Sequence, residues 1–243
     1  MVSSCSLLAN NYGVVMEIVQ EVFSLLFGEN GELRQIIGAT LRMSFSSTII
    51  SVGIGIPLGA WLALSTFRGK CLLMRFIHTL MGLPPVVAGL LVFFLLSRSG
   101  PLGAHKLLYS ITAMVVAQVV LITPIAVGLS ASIVSSRAPL LQETARGFGL
   151  NRWSQLIYSL FEFRKQMFSV LFTGFGRAIS EVGAAQMVGG NVQFKTRVMT
   201  TAIVLETNKG NFDMAIALGV VLLLIAFIIM SAAQFLQEER PKS

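Results

Sequence analysis

The chain has 243 residues, 54% of them hydrophobic and 12% charged, with a net charge of +7. A soluble domain carries about 25% charged residues, so half that share, set between long apolar runs, excludes an ordinary soluble enzyme and implies a polytopic membrane protein. The basic excess then belongs to loops at the membrane surface rather than to a face for nucleic acid.

In chain order, the polar start gives way to Val15, Ile18, Val19, Val22, Leu25 and Leu26, which recur at helical spacing opposite Glu17, Gln20, Glu21 and Ser24. The stretch 15–27 is too short for about 30 Å of hydrocarbon, which needs about 20 residues. It predicts an amphipathic helix lying in the interface. No basic residue precedes it, so the start does not read as a secretory signal. Five apolar runs then predict five transmembrane helices: 43–67, with Gly53, Gly55, Pro57 and Gly59; 76–97, with Pro84 and Pro85; one within 107–136, with Pro124; 166–187; and 214–237. The expected organisation is an external tail and interfacial helix over 1–32, a transmembrane domain over 33–237 and a short cytoplasmic tail over 238–243. Cys5 and Cys71 lie far apart without metal-type neighbours, so no disulfide or zinc framework is suggested.

Lysine and arginine set the orientation. Arg68, Lys70 and Arg75 lie in one turn, Arg137, Arg146, Arg152, Arg164 and Lys165 in another, and Arg240 and Lys242 in the tail. Placing these inside leaves Arg34, Arg98, Lys106, Lys195, Arg197 and Lys209 outside. The expectation is an external N-terminus and a cytoplasmic C-terminus.

The longest polar interruption, 139–162, then falls in the cytoplasm. Pro139 suits a first helical turn, Gly147 and Gly149 end that helix, and Asn151 caps a second one from Arg152 to Leu160. Trp153, Leu156, Ile157 and Leu160 fall on one face of it. Such an amphipathic hairpin between spans is what a partner grips. In the fourth span, Arg177 and Glu181 are spaced to share a helix face. Charges at that depth usually face a polar interior, so the pair either lines a hydrophilic pathway or locks the helix against its neighbours. Arg42 is a weaker candidate that can snorkel to the surface. Ser44, Ser46, Ser47, Thr48 and Ser51 form a hydroxyl stripe in the first span, better explained by helix packing than by substrate contact. His78 and His105 stand alone. No phosphate-binding loop, zinc-protease motif or nucleophile elbow occurs. Any work driven by ATP needs another chain to hydrolyse it.

Glu143, Thr144 and Ala145, then three intervening residues and Gly149, then Arg152 and Trp153, resemble the coupling loop of bacterial ABC-importer permeases, E-A-A-x-x-x-G. Thr144 replaces an alanine, and Ser159, Phe161 and Glu162 stand where the family's later Ile, Leu and Pro would. The block 175–191 with 195–203, the block 81–103 and the block 117–127 resemble the molybdate, tungstate and sulfate permeases, and the tungstate branch most closely. The resemblance implies an all-α type I importer permease fold and a homodimer in the bilayer of a bacterial plasma membrane. It implies two separate ABC ATPase subunits, which bind the ATP and magnesium and grip Glu143, Thr144, Ala145, Gly149, Arg152 and Trp153. An extracytoplasmic oxyanion-binding protein would deliver the anion, and Arg177 and Glu181 would stand beside its pathway. No cofactor, metal or catalytic residue is implied on this chain. Molybdate or sulfate remains an alternative cargo, and a secondary transporter driven by an ion gradient an alternative class.

Overall fold

The computed structural model describes residues 31–136, 143, 147–149 and 151–237. The amphipathic stretch 15–27, Thr144, Ala145 and the tail 238–243 lie outside them. The described residues form the helices α1 (Gly31–Leu64), α2 (Lys70–Met81), α3 (Pro85–Leu96), α4 (Ile111–Ser135), α5 (Arg152–Glu162), α6 (Arg164–Ile179), α7 (Gly183–Gly189), α8 (Met199–Asn208) and α9 (Phe212–Gln237).

The spine is α1. Its 34 residues extend about 51 Å at 1.5 Å per residue, starting well upstream of the predicted residue 43 and carrying both Arg34 and Arg42. It contributes to all three apolar clusters of the fold. Leu33 and Ile36 pack with α8 and α9. Ala39 and Met43 join α3, α4 and α7. Val52, Ala60 and Ala63 meet α4 and α6. Lipid removes most of the hydrophobic drive between helices, so close van der Waals approach has to hold them together. Gly55 and Gly59 provide it. A Cβ at Gly55 would sit 2.4 Å from Cβ of Ala126, and one at Gly59 2.5 Å from the Val127 carbonyl. Where α1 ends, its last carbonyls would be orphaned; Lys70 Nζ donates to the carbonyls of Ala63 and Ser65, 2.9 Å each.

Helices α1, α4 and α9 are each long and apolar enough to cross a bilayer. The second predicted span, 76–97, is instead a bent pair, with α2 and α3 meeting at 100°. Pro84 is extended and Pro85 occupies the first turn of α3. A proline lacks the N–H that would continue the helix and pushes its predecessor out of the helical region. The fourth predicted span, 166–187, is also broken, between Ile179 and Gly183. Its longer piece, α6, has 16 residues and reaches about 24 Å, short of about 30 Å. Among the described residues, three of the five predicted spans are therefore single helices long enough to cross, the second is a crossing only if its bent pair acts as one, and the fourth is two shorter helices.

Candidate functional site

The first predicted helix of the polar interruption, from Pro139, lies outside the described residues; the second starts as its capping residue dictates. Asn151 Oδ1 accepts from Ser154 N at 2.8 Å and starts α5, which runs two residues beyond the predicted Leu160. One side of α5 turns inward: Ser159 is buried, its hydroxyl donating to the Gln155 carbonyl, and Leu160 packs with the cluster around Phe163 and Met167. The other side carries Trp153, Ile157 and Phe161, spaced four apart and 74%, 64% and 66% exposed; Phe148, ahead of α5 in sequence, is 78% exposed. The predicted single face thus divides, with Trp153 and Ile157 outward and Leu160 inward. An exposed aromatic ridge on a short helix is the form of a helix that inserts into a partner's groove. Glu143 and Gly149 are exposed as well. Gly149 has φ +64°, and a Cβ placed on it would meet nothing within 4 Å among the described residues. Arg152 lines a groove of about 280 Å³ together with Trp61, Ser65 and Thr66 at the end of α1.

A single residue, the buried Phe163, separates α5 from α6. Up α6 from there, Gln166, Ser169, Thr173 and Ser180 are exposed and Arg177 partly so. Their spacing of three, four, four and three places them in one row, a polar stripe along a helix of an otherwise apolar protein. Sequence reasoning found only Arg177 in this row. The signal was the periodicity of the polar residues, which a search for charge alone passes over.

Arg177 and Glu181 are brought together, though not on one helix. Arg177 occupies the last turn of α6 and Glu181 lies in the break before α7. Their Nη2 and Oε2 atoms stand 3.9 Å apart, with side chains 40% and 5% exposed, beyond hydrogen-bond length. The Glu181 carboxylate is engaged elsewhere, its Oε1 accepting from Ala184 N at 3.1 Å in the first turn of α7. Its carbonyl accepts from the Thr200 hydroxyl of α8 at 2.9 Å. Glu181 is therefore the knot that makes the break, because these bonds replace the ones a continuous helix would have made. Arg177 is left with a loose ionic neighbour, and its Nε has no hydrogen-bond partner among the described residues. A guanidinium carries five donors in a fork suited to oxyanions, and this one is far from saturated.

Of the hydroxyl stripe in α1, Ser44, Ser47, Thr48 and Ser51 are buried within the fold and Ser46 is exposed. Thr48 donates to the Ser44 carbonyl at 2.7 Å, and Ser47 donates to Gln118 of α4. Ser47 and Thr48 thus take the packing role expected of the stripe, while the hydroxyls of Ser44 and Ser51 are buried without a hydrogen-bond partner among the described residues. Arg42 is exposed on α1.

At the end of the bundle where α1 begins, the loop after α7 is tied down by polar bonds. Thr201 Oγ1 donates to Asn191 Oδ1 at 3.0 Å, Met199 N to Thr40 Oγ1 at 2.9 Å, and Arg197 Nη1 to Glu32 Oε1 at 2.9 Å. Asn191 and Phe194 hold positive φ angles. Phe194 and Lys195 project from the loop.

Residues 55–240 match the family described as binding-protein-dependent transport system inner membrane component. The chain is 39% identical over 228 residues to the tungstate uptake system permease protein TupB of Peptoclostridium acidaminophilum, covering 92% of this chain and 100% of that one. It is 35% identical over 208 residues to the TupB of Campylobacter jejuni, covering 86% and 87%. Among solved structures, a bacterial ABC transporter that imports the acidic polysaccharide alginate superposes with a TM-score of 0.72 at 20% identity, covering 97% of this chain and 91% of that one. A bacterial alginate ABC transporter in complex with an alginate pentasaccharide-bound periplasmic protein gives 0.71 at 17% identity, covering 100% of this chain and 96% of that one. At these identities the structures speak for the fold, which is that of an ABC-importer permease. Taken with the family match over most of the length, they place this chain among the inner-membrane components of binding-protein-dependent transport systems.

Proposed function

We propose that the chain is the permease subunit of a tungstate importer, and that the polar row on α6 lines the anion's path. The observation that carries this reading is the row itself: Gln166, Ser169, Thr173, Arg177 and Ser180 share one exposed side of a helix in a membrane protein. Polar and charged groups turned to lipid are costly, so such a row faces water or a polar partner. Arg177 supplies positive potential for a dianion where its donors are least occupied. The tungstate assignment draws on the two relatives named for tungstate uptake. The chemistry of the row alone is common to tungstate, molybdate and sulfate, all tetrahedral dianions.

In this reading two copies pair with the path between them. Two separate ATPase subunits hold the Trp153–Ile157–Phe161 ridge, Glu143 and Gly149, with Thr144 and Ala145 in the same loop. They bind the ATP and magnesium. A binding protein delivers the anion near the loop that carries Phe194 and Lys195. ATP-driven closure of the ATPases moves α5, and α5 moves α6 through Phe163. This chain itself transports and does not hydrolyse.

The test is competition uptake in vesicles holding the permease, its ATPase and its binding protein. Tungstate is expected to displace labelled tungstate at least about tenfold better than molybdate or sulfate does, a difference of about 1.4 kcal/mol. Equal displacement by all three would sink the tungstate assignment, and uptake without ATP on an ion gradient alone would sink the ABC reading.

The charge distribution supports an orientation with the N-terminus outside and α5 in the cytoplasm. A tag at the N-terminus is expected to be cut by protease added to whole spheroplasts; protection of the tag would reverse or extend the topology.

A further inference from the structure

The last turn of α6, which carries Arg177, is held from a distance by a side chain that no motif marks. Gln118 lies in the third turn of α4, 1% exposed and among the largest fully buried side chains. Its Nε2 donates to the Ala178 carbonyl at 2.8 Å, and its Oε1 accepts from Ser47 Oγ of α1. The orientation of the amide follows from chemistry. A backbone carbonyl only accepts, so the NH₂ must face Ala178, and the oxygen is left for the serine hydroxyl. A primary amide buried at this depth is costly unless both ends are bonded, and both are. The bond falls where α6 ends, on a carbonyl of the last turn that has no full helical partner.

Three helices thus meet at one amide. α1 and α4 are packed closely against each other through Gly55 and Gly59. α6 is joined to α5 at one end through the buried Phe163 and bonded to Gln118 of α4 at the other through the Ala178 carbonyl. Arg177 precedes Ala178 in sequence, so the placement of that carbonyl fixes the backbone from which the guanidinium projects.

We infer that Gln118 is a positioning residue for Arg177, holding the last turn of α6 against the α1–α4 pair so that the guanidinium stands at a set place in the anion's path. The inference rests on the reading that Arg177 lines that path.

The experiment is a double-variant cycle in proteoliposomes holding the permease, its ATPase and its binding protein, with labelled tungstate as the probe. Gln118→Met keeps the volume and removes both hydrogen bonds. It is expected to lower uptake about fivefold to tenfold, the scale of one lost hydrogen bond, and to lower it less than about twofold further when Arg177 is already alanine. A double variant whose loss is the product of the two single losses, or that falls below detection, overturns the inference while leaving the role of Arg177 intact. An Arg177→Ala protein that transports like the wild type overturns both. Should Gln118→Met not assemble, Ser47→Ala frees the amide oxygen and leaves the bond to Ala178 in place. A loss of about twofold to threefold that vanishes in the Arg177→Ala background supports the inference, and a loss of the same size in both backgrounds overturns it.

Discussion

Arg177→Ala is expected to lower tungstate uptake by about tenfold to a hundredfold, the range of one or two charge-assisted hydrogen bonds, while the permease still copurifies with its ATPase. Two features of the structure separate these outcomes. The guanidinium is only loosely paired, at 3.9 Å from a carboxylate that is already bonded to the first turn of α7. Removing it therefore leaves Glu181 with its backbone partner and the α6–α7 break intact. The ridge on α5 lies at the opposite end of α6 and does not touch Arg177, so ATPase docking has no reason to change. Arg177→Lys keeps the charge but presents a point donor in place of a fork, and is expected to recover part of the uptake. Uptake of Arg177→Ala within twofold of the wild type, in the assembled complex, would make Arg177 a scaffold residue. Glu181→Gln is the informative companion. The amide oxygen can still accept from Ala184 N, so a loss of transport in that variant would report the loose ion pair itself rather than the knot.

How much of this was legible in the sequence differs from helix to helix, and the differences have physical causes. α4 and α9 follow from uninterrupted apolar runs, because a helix that satisfies its own backbone is the simplest way to cross lipid. The start of α5 followed from Asn151, since a capping side chain acts locally. The bend between α2 and α3 was announced by Pro84 and Pro85, yet hydropathy runs straight through a proline and reads one span. The break between α6 and α7 has no such marker. Neither Ser180 nor Glu181 breaks a helix by itself. What breaks it is a hydroxyl from Thr200, on a helix that comes later in the chain, together with a carboxylate that prefers the next turn's N–H. Gln118 was hidden for the same reason. Its two partners, Ser47 and Ala178, lie 71 and 60 residues away in sequence, and a lone glutamine in an apolar run has no periodicity to betray it. The pairing of Arg177 with Glu181 was read from spacing and is present, but spacing carries no information about the bonds that end the helix between them.

Gly149→Val is expected to abolish coupled uptake, by more than about tenfold, with little effect on the isolated permease. The left-handed φ of +64° is one that a β-branched residue adopts only under strain, at about 1–2 kcal/mol for an L-residue. That strain falls on an exposed position ahead of Asn151, outside the apolar clusters, and a Cβ there meets nothing within 4 Å among the described residues. The permease alone should therefore still fold and insert, with its melting temperature little changed. A side chain at this position becomes a problem only when something approaches it from outside, and the exposed Phe148 and Trp153 beside it mark the approaching surface. Gly149→Asn separates the two effects, because asparagine tolerates the left-handed region while still adding bulk. If a partner closes on this turn, the asparagine variant retains much of the transport defect and copurifies poorly with the ATPase. If the backbone angle alone matters, it behaves like the wild type. Normal transport by Gly149→Val would remove this turn from the docking surface and leave the Trp153–Ile157–Phe161 ridge to bear the grip alone.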